Sequence, residues 1–293
     1  MTAFFSVLEY LDKNKIVFYL TTYFLLLIIF IISLFPLKTV ISNIVYKVNE
    51  SGYATILFDK VNASLFSDIK FKNLSIKTDN LSSPVIIDSI SLNPSVINLF
   101  IGKLKGDYQI EIGGIKLNGE TTISKKLFYI KGRLKNFSLE KKPYFKKRFQ
   151  LNLKGEIRGN IEITVKNNNI KKAKGFINIE GKKIKLGKSE VYSIFQLPDI
   201  NFNTLTVMLK IDKGNIKFDT FRLGENRPYL TLSGNITLKQ PLSRSWSKLM
   251  LKLKLDDEFK DKIGQLLPSV GFSTGPSNEY VKHLSGTFLN ILR

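Results

Sequence analysis

Few side chains in this sequence have the types and spacings that catalysis or metal binding requires. The single histidine, His283, stands in EYVKHLSG without an acid pair or a second nitrogen ligand beside it, so we do not expect it to be catalytic. Asp256, Asp257 and Glu258 cluster, but acidic residues at the start of a helix more often interact with its dipole than form a catalytic pair. The chain has no cysteine, which excludes disulfides, thiolate metal sites and a cysteine nucleophile. No catalytic, cofactor or metal site is predicted, and we interpret the protein as a non-enzyme.

Residues 181–189, GKKIKLGKS, look at first like a phosphate-binding loop. Five residues separate the two glycines where that motif has four, and no nucleotide-binding strand and helix follow. Lysine also alternates with isoleucine and leucine, as it does in a strand. We therefore interpret the segment as two strand edges around Gly187.

The chain is strongly basic, with a formal net charge of +21 over 293 residues. The basic residues are seven arginines against 38 lysines, whereas recognition of bases and phosphates favours arginine. A lysine-covered solvent face of a sheet explains the imbalance better, so no nucleic-acid partner is predicted. Residues 141–148, KKPYFKKR, are interpreted as a charged turn, with anionic lipid headgroups as the functional alternative.

Residues 16–37, IVFYLTTYFLLLIIFIISLFPL, contain no charged side chain. At 1.5 Å per residue a helix of this length spans about 33 Å, close to the roughly 30 Å of a hydrocarbon core. The apolar run is longer than that of a cleaved signal peptide, and SLFPLKTV offers no small-x-small cleavage site, which favours an uncleaved anchor. We predict a short cytoplasmic tail (1–15), a transmembrane helix (16–37) and one continuous domain (38–293) beyond the membrane. Lysines flank the span on both sides, so charge alone does not set this orientation.

After the apolar span, most of the chain alternates apolar and polar residues with a period of two. This period places one apolar and one wetted face on each strand, and the short connections suit antiparallel neighbours. The fold class is therefore predicted as mainly β, a long, curved antiparallel sheet of half-pipe or taco-like shape with a few short helices. Two helices are expected. One is capped by Asn93 with Pro94 at its first position and Gly102 at its end, and the other runs through DDEFKDKIGQLLP with Phe259 on its apolar side.

The segment 214–238, GNIKFDTFRLGENRPYLTLSGNITL, shows the alternation most clearly and slips phase once. Too few helices are available to cover what such strands expose, so their apolar side must face the sheet itself, another protein or lipid. We predict that it lines an apolar groove, although a sheet closed on itself as a dry sandwich is also open. The candidate groove residues are Ile216, Phe218, Leu230, Leu232, Ile236 and Leu238.

Three stretches of the sequence carry a resemblance to a known group. ISLNPSVINLFIGKLKGDYQIEIGGIKLNG resembles the strand, P-x-x-x-x-L helix and glycine-pair segment of AsmA-like proteins and of the type II secretion system protein GspN family. LPDINFNTLTVMLKIDKGNIKFDTFRLGENRPYLTLSGNITL is similar to their repeated G-x-I and G-x-I-x-L strands. QPLSRSWSKLMLKLKL and EYVKHLSGTFLNIL match the GspN family more closely than AsmA relatives in general.

The resemblance implies a single-pass protein of the bacterial inner membrane with its β domain in the periplasm. It implies an accessory component of type II secretion, without a cofactor, whose partners are the inner membrane and secretion subunits. The AsmA side of the resemblance implies the alternative, a lipid-binding or lipid-transfer protein whose curved sheet accommodates phospholipid acyl chains.

Overall fold

The computed structural model describes most of the chain after residue 36 and part of the apolar segment before it. The described residues are 19, 21–24, 26, 27, 30, 37–50, 55–64, 67–77, 84–95, 98, 101–140, 152–167, 169–191, 195–240, 244–275 and 279–287. The predicted tail, 1–15, lies outside them, as does most of the predicted span, 16–37. The eight described residues between 19 and 30 are helical. No helix in the described ranges is both long and apolar enough to cross a membrane.

A helix, α1 (Leu37–Glu50), precedes the sheet and is tied to its first strand by one side chain. The amide of Asn49 both donates to the carbonyl oxygen of Ile56, at 3.0 Å, and accepts from the Ile56 N–H, at 2.6 Å. The side chain thus satisfies both backbone groups of Ile56, as a neighbouring strand would. This pair of bonds fixes where α1 joins the sheet.

The prediction of a mainly β fold is confirmed, because fifteen strands form one large open antiparallel sheet. Strands that follow one another in sequence are neighbours in the sheet over most of its width. The first strands of the sheet are β1 (Thr55–Leu57), β2 (Lys60–Ser64), β3 (Ser67–Lys77), β4 (Val85–Pro94), β5 (Leu104–Ile112), β6 (Ile115–Ile123), β7 (Leu127–Ser138), β8 (Asn152–Lys166) and β9 (Lys174–Gly187). The others are β12 (Ile200–Asp212), β13 (Asn215–Leu223), β14 (Tyr229–Thr237), β15 (Trp246–Lys254), β16 (Ser273–Thr274) and β17 (Tyr280–Thr287), while β10 (Ser189–Val191) and β11 (Phe195–Leu197) form a separate hairpin.

Three features interrupt the simple up-and-down order of the sheet. At the amino end, β1 and β2 both pair with β3 and not with each other. The β10–β11 hairpin lies between β9 and β12 in sequence, but β9 and β12 pair directly with each other. At the carboxyl end β17 inserts between β15 and the two-residue β16.

The helix expected after Asn93 begins later than predicted. Asn93 and Pro94 are the last residues of β4 and pair with Asp107 and Gly106 of β5. The pairing with β5 therefore takes both residues into the sheet, and Gly106 permits it, since a Cβ there would stand 2.0 Å from the Asn93 carbonyl oxygen. Gly102 does close the connection, with φ +69°, as the sequence indicates.

The second expected helix is confirmed as α2 (Asp257–Ile263). The Asp256 carboxylate caps it by accepting from the Phe259 N–H at 2.9 Å, which satisfies one of the free donors of the first turn. Two short 3₁₀ turns, Gly264–Leu266 and Pro268–Val270, continue the chain after α2.

A hydrophobic cluster joins α2 to the sheet near one end of its strands. Buried side chains of β7, β9, β12 and β17 pack together there with side chains from the α2 segment. The buried members are Phe137, Leu139, Ile184, Leu186, Ile200, Phe202, Leu255, Phe259, Leu267 and Tyr280. We call this the capped core, because α2 and the residues around it cover the sheet at this end.

Removing the N-cap of α2 tests how much this hydrogen bond contributes to the free energy of unfolding. Asp256→Ala leaves the Phe259 N–H without its acceptor, so we expect a loss of about 1 kcal/mol in the free energy of unfolding. Chemical denaturation of the full chain in mild detergent, followed by circular dichroism, measures it. Glu258→Ala, which removes a first-turn carboxylate outside the cap position, is the matched control and should cost less. Equal losses for the two variants would contradict the capping role of Asp256.

Candidate functional site

The pairing registers place the apolar side chains of successive strands on one face of the sheet. Residues directly opposite in an antiparallel pair point to the same side, so a run of paired apolar residues defines a continuous surface. In the centre the run passes from Ile161 of β8 to Ile177 of β9 and Leu209 of β12. Further members on β12 to β15 are Val207, Ile211, Ile216, Phe218, Leu223, Leu230, Leu232, Ile236, Leu249, Leu251 and Leu253. We call this surface the apolar face.

The apolar face is only half-buried over most of its extent. Ile177 and Ile179 of β9 are half-buried, while Phe176 and Asn178, on the other face of the same strand, are exposed. The capped core covers the face at one end of the strands. A wide apolar surface therefore remains in contact with the space above the sheet, as far as the described residues show.

The opposite face carries the charged side chains and is open to solvent. Arg158 and Glu180, on neighbouring strands, form a two-bonded ion pair with N–O distances of 2.9 Å and 2.6 Å. Both side chains are more than half exposed, so the pair adds little to stability. This polar face matches the lysine-rich solvent surface expected from the composition.

The structure brings five of the six predicted groove residues onto the apolar face. Ile216 of β13 lies opposite Ile236 of β14, and Phe218 lies opposite Gly234. Leu230 and Leu232 of β14 lie opposite leucines of β15. Leu238 follows the end of β14, where its N–H donates to the Gly214 carbonyl oxygen at 2.8 Å.

The phase slip in this segment is a β-bulge in β13. Against β12, Phe218 pairs with Leu209 and Thr220 with Met208, which leaves Asp219 as the extra residue. A bulge places two residues of one strand opposite one residue of its partner, so the alternation shifts by one position. Phe221 therefore returns to the apolar face, opposite Val207.

Tyr108 is a feature of the apolar face that sequence reasoning missed. It lies in β5 opposite Gly119 of β6, which in turn lies opposite Gly132 of β7. A Cβ at Gly132 would stand 2.5 Å from the Tyr108 Oη, so the tyrosine ring reaches across Gly119 to Gly132. The side chain is 6% exposed, and no described residue forms a hydrogen bond with its hydroxyl. Burial raises the pKa of the Tyr108 phenol above its ordinary value.

A polar cluster ties β13, β14 and β15 to the start of β17. The Tyr229 hydroxyl donates to Glu279 at 3.2 Å, and the ammonium groups of Lys252 and Lys254 lie 3.9 Å and 3.7 Å from the same carboxylate. The Arg222 guanidinium stacks 4.8 Å from the centre of the Tyr229 ring. Burial and the Glu279 carboxylate raise the pKa of the phenol, which stays neutral and donates at ordinary pH. The arrangement fixes the start of β17 relative to β15.

The remaining candidates from the sequence occupy ordinary structural positions. His283 is exposed in β17 opposite Met250. Residues 181–187 continue β9 and Ser189 begins β10, which confirms the interpretation of two strand edges around Gly187. The segment 141–148 lies outside the described residues. Within the described ranges, no three His, Cys, Asp or Glu side chains come together as metal ligands.

Comparison of the chain with family models, curated proteins and solved structures finds no match.

The packing of Tyr108 over glycine predicts an energetic coupling between Tyr108 and Gly132. Tyr108→Phe removes a buried hydroxyl without a described partner, so the free energy of unfolding should stay equal or rise by up to about 1–2 kcal/mol. Gly132→Ala should cost about 1–3 kcal/mol by crowding the phenol, and less when Tyr108 is already phenylalanine. Thermal and denaturant unfolding of the four full-length proteins measures the double-mutant cycle. A marked loss of stability in Tyr108→Phe would mean that the hydroxyl has a partner.

Proposed function

We propose that the protein is a membrane-anchored, non-enzymatic lipid-handling protein of the bacterial envelope, whose curved sheet forms a trough for phospholipid acyl chains. The observation that carries the proposal is the continuous, half-buried apolar face across β5 to β15. A soluble protein rarely leaves so large an apolar surface without an occupant. Acyl chains suit it because they need contact area and no particular polar group.

The difference in exposure between the two faces supports a half-pipe shape. Side chains on the inside of a curved sheet crowd and shield one another, whereas those on the outside spread apart. Ile177 and Ile179 are shielded in this way even though the capped core lies toward one end of the strands, and their outward neighbour Asn178 is exposed. Curvature with the apolar face inward explains this contrast without a covering layer of helices.

The length of the apolar face is sufficient for useful affinity. Burial of a methylene contributes about 0.8 kcal/mol, so a sixteen-carbon chain could gain up to about 12 kcal/mol before the entropic costs of binding. Leu232 and Leu251, opposite each other on β14 and β15, belong to the surface that such a chain would contact.

The anchoring part of the proposal rests on the apolar run 16–37. Among its described residues, Phe24, Leu26 and Phe30 are 63%, 58% and 63% exposed, so the rest of the described protein does not cover them. Large apolar side chains left uncovered on a helix suit a lipid environment. We therefore infer a single pass through the inner membrane, with 1–15 in the cytoplasm and the sheet in the periplasm.

A second candidate function is an accessory role in type II secretion, which the resemblance of the carboxyl-terminal strands to the GspN family favours. β16 pairs only with Tyr280 and Val281 of β17. The rest of the outer edge of β17 has no strand beside it among the described residues, and such an edge can receive a strand of another protein. A secretion subunit could add to the sheet there.

A carboxylate on the apolar face should displace bound lipid. We expect the full-length protein, extracted in mild detergent, to show phospholipid-sized mass increments in native mass spectrometry. Leu232→Asp should lower the lipid-bound fraction at least about tenfold, because an ionised carboxylate among alkyl chains costs several kcal/mol.

Ser233→Asp is the matched control, since it adds the same charge one residue along the strand on the polar face. Circular dichroism shows whether each variant folds. Protein that carries no lipid in any preparation, or equal lipid in the two variants, would contradict the trough.

Site-specific photo-crosslinking in intact membranes tests the secretion role. A photoreactive residue in place of His283 or Ser285, both exposed on β17, should crosslink to subunits of the secretion system. The same probe in place of Asn160, exposed in the middle of the polar face, should not. No secretion subunit from either β17 position would argue against this candidate.

A further inference from the structure

The antiparallel order of the sheet sorts its connections between the two ends of the strands. Among the described residues, five connections lie at the end away from the capped core, and they comprise residues 95, 98, 101–103, 124–126, 167, 169–173, 213, 214, 238–240, 244 and 245. The connections at the other end include the β5–β6 turn, the β10–β11 hairpin and the α2 segment. We call the first set the basic rim, because of its charge.

The basic rim contains eight basic residues and no acidic residue. They are Lys103, Lys125, Lys126, Lys171, Lys172, Lys213, Lys239 and Arg244. Among the described residues, the connections at the opposite end of the strands contain nine acidic and four basic residues, so their net charge is negative. The excess positive charge in the connections is therefore confined to one end of the strands.

The charges of the rim are free to act on a partner. All eight side chains are exposed, and none forms an ion pair with a described carboxylate. The lysine-bearing connections follow one another every second strand, which is about 10 Å at the usual strand spacing. From the β4–β5 connection to the β14–β15 connection, the row extends about 40 Å.

Exposed apolar side chains accompany the charges. Trp246, the single tryptophan of the chain, stands at the first position of β15 with 43% of its surface exposed. Ile101, in the β4–β5 connection, is 61% exposed. Tryptophan prefers the interface between lipid headgroups and acyl chains, and lysines beside it add attraction to anionic headgroups.

We propose that the basic rim docks onto the surface of an anionic phospholipid bilayer. Charge complementarity selects a negative partner, and the exposed Trp246 and Ile101 select a bilayer over a nucleic acid. Seven of the eight charges are lysines, which attract an anionic surface without the forked geometry that arginine uses to bind single phosphates. The rim is separate from the apolar face, so docking does not require an occupied trough.

The single tryptophan provides a probe within the full-length protein. The chain is reconstituted by its own anchor into nanodiscs of phosphatidylcholine alone, or of phosphatidylcholine with phosphatidylglycerol. Brominated acyl chains then quench Trp246 only if it reaches the bilayer interface. We expect a blue-shifted and quenched emission in the anionic nanodisc, and neither change in the neutral one. About 1 M salt should abolish the difference, because it shortens the screening length to about 3 Å.

Two variants with four substitutions each distinguish an effect of the rim lysines from an effect of the net charge of the protein. The rim variant changes Lys125, Lys126, Lys171 and Lys172 to glutamine, and the control variant changes Lys116, Lys135, Lys154 and Lys182, exposed toward the opposite end of the strands, to glutamine. Both variants lose four positive charges. The rim variant should lose the blue shift and the quenching, and the control variant should keep both.

Quenching that is equal in neutral and anionic nanodiscs, or that both variants lose alike, would overturn the proposal. So would rim-dependent binding of an oligonucleotide without any response to anionic lipid. Native mass spectrometry of the rim variant distinguishes a failure of the rim proposal from a failure of the proposed lipid trough. Protein that carries phospholipid but does not dock refutes the rim alone, whereas protein that docks without carrying lipid refutes the trough alone.

Discussion

The rest of this structure depends on one constraint, which is that an antiparallel sheet with one apolar face must keep that face from water. The face extends here across β5 to β15, and among the described residues α2 with its neighbouring turns covers it around the capped core. Hydrophobic burial of this kind is the main favourable term in folding. The uncovered apolar area is therefore a large area whose burial would still lower the free energy. The curvature that we propose would shield part of this area by bringing apolar side chains of neighbouring strands together, and an apolar occupant would cover the remainder.

The two ends of the strands differ in role, because one end stabilises the fold and the other exposes charge. The capped core and the polar cluster around Glu279 stabilise one end, where helix α2 closes over the sheet and β17 is fixed against β15. The other end is built of short connections, several of them no longer than three residues, that leave little room for packing and expose lysine. Stability and surface chemistry are thus separated, and the basic rim can vary in charge without disturbing the buried residues.

Much of this architecture follows from local sequence patterns. Alternation predicts the strands, the single phase slip marks the bulge at Asp219, and the acidic run before Phe259 predicts the start of α2. The helix start at Pro94 is wrong because pairing with β5 outweighs a local capping pattern. The contact of Tyr108 with Gly132 could not be predicted, since it depends on registers across two strand pairs that no local pattern specifies. Identifying the basic rim also requires the strand pairing, because its lysines are far apart in sequence.

The pairing of strands that are adjacent in sequence makes the sheet extensible. Each added hairpin would pair with the existing edge strand and extend the sheet by about 10 Å in the direction across the strands. The dimension along the strands, which the strand length sets, would not change. It would also add one more connection at each end of the strands. Duplication or loss of such a unit would change how far the protein reaches while preserving its cross-section, so in an architecture of this kind reach can evolve in steps of one hairpin.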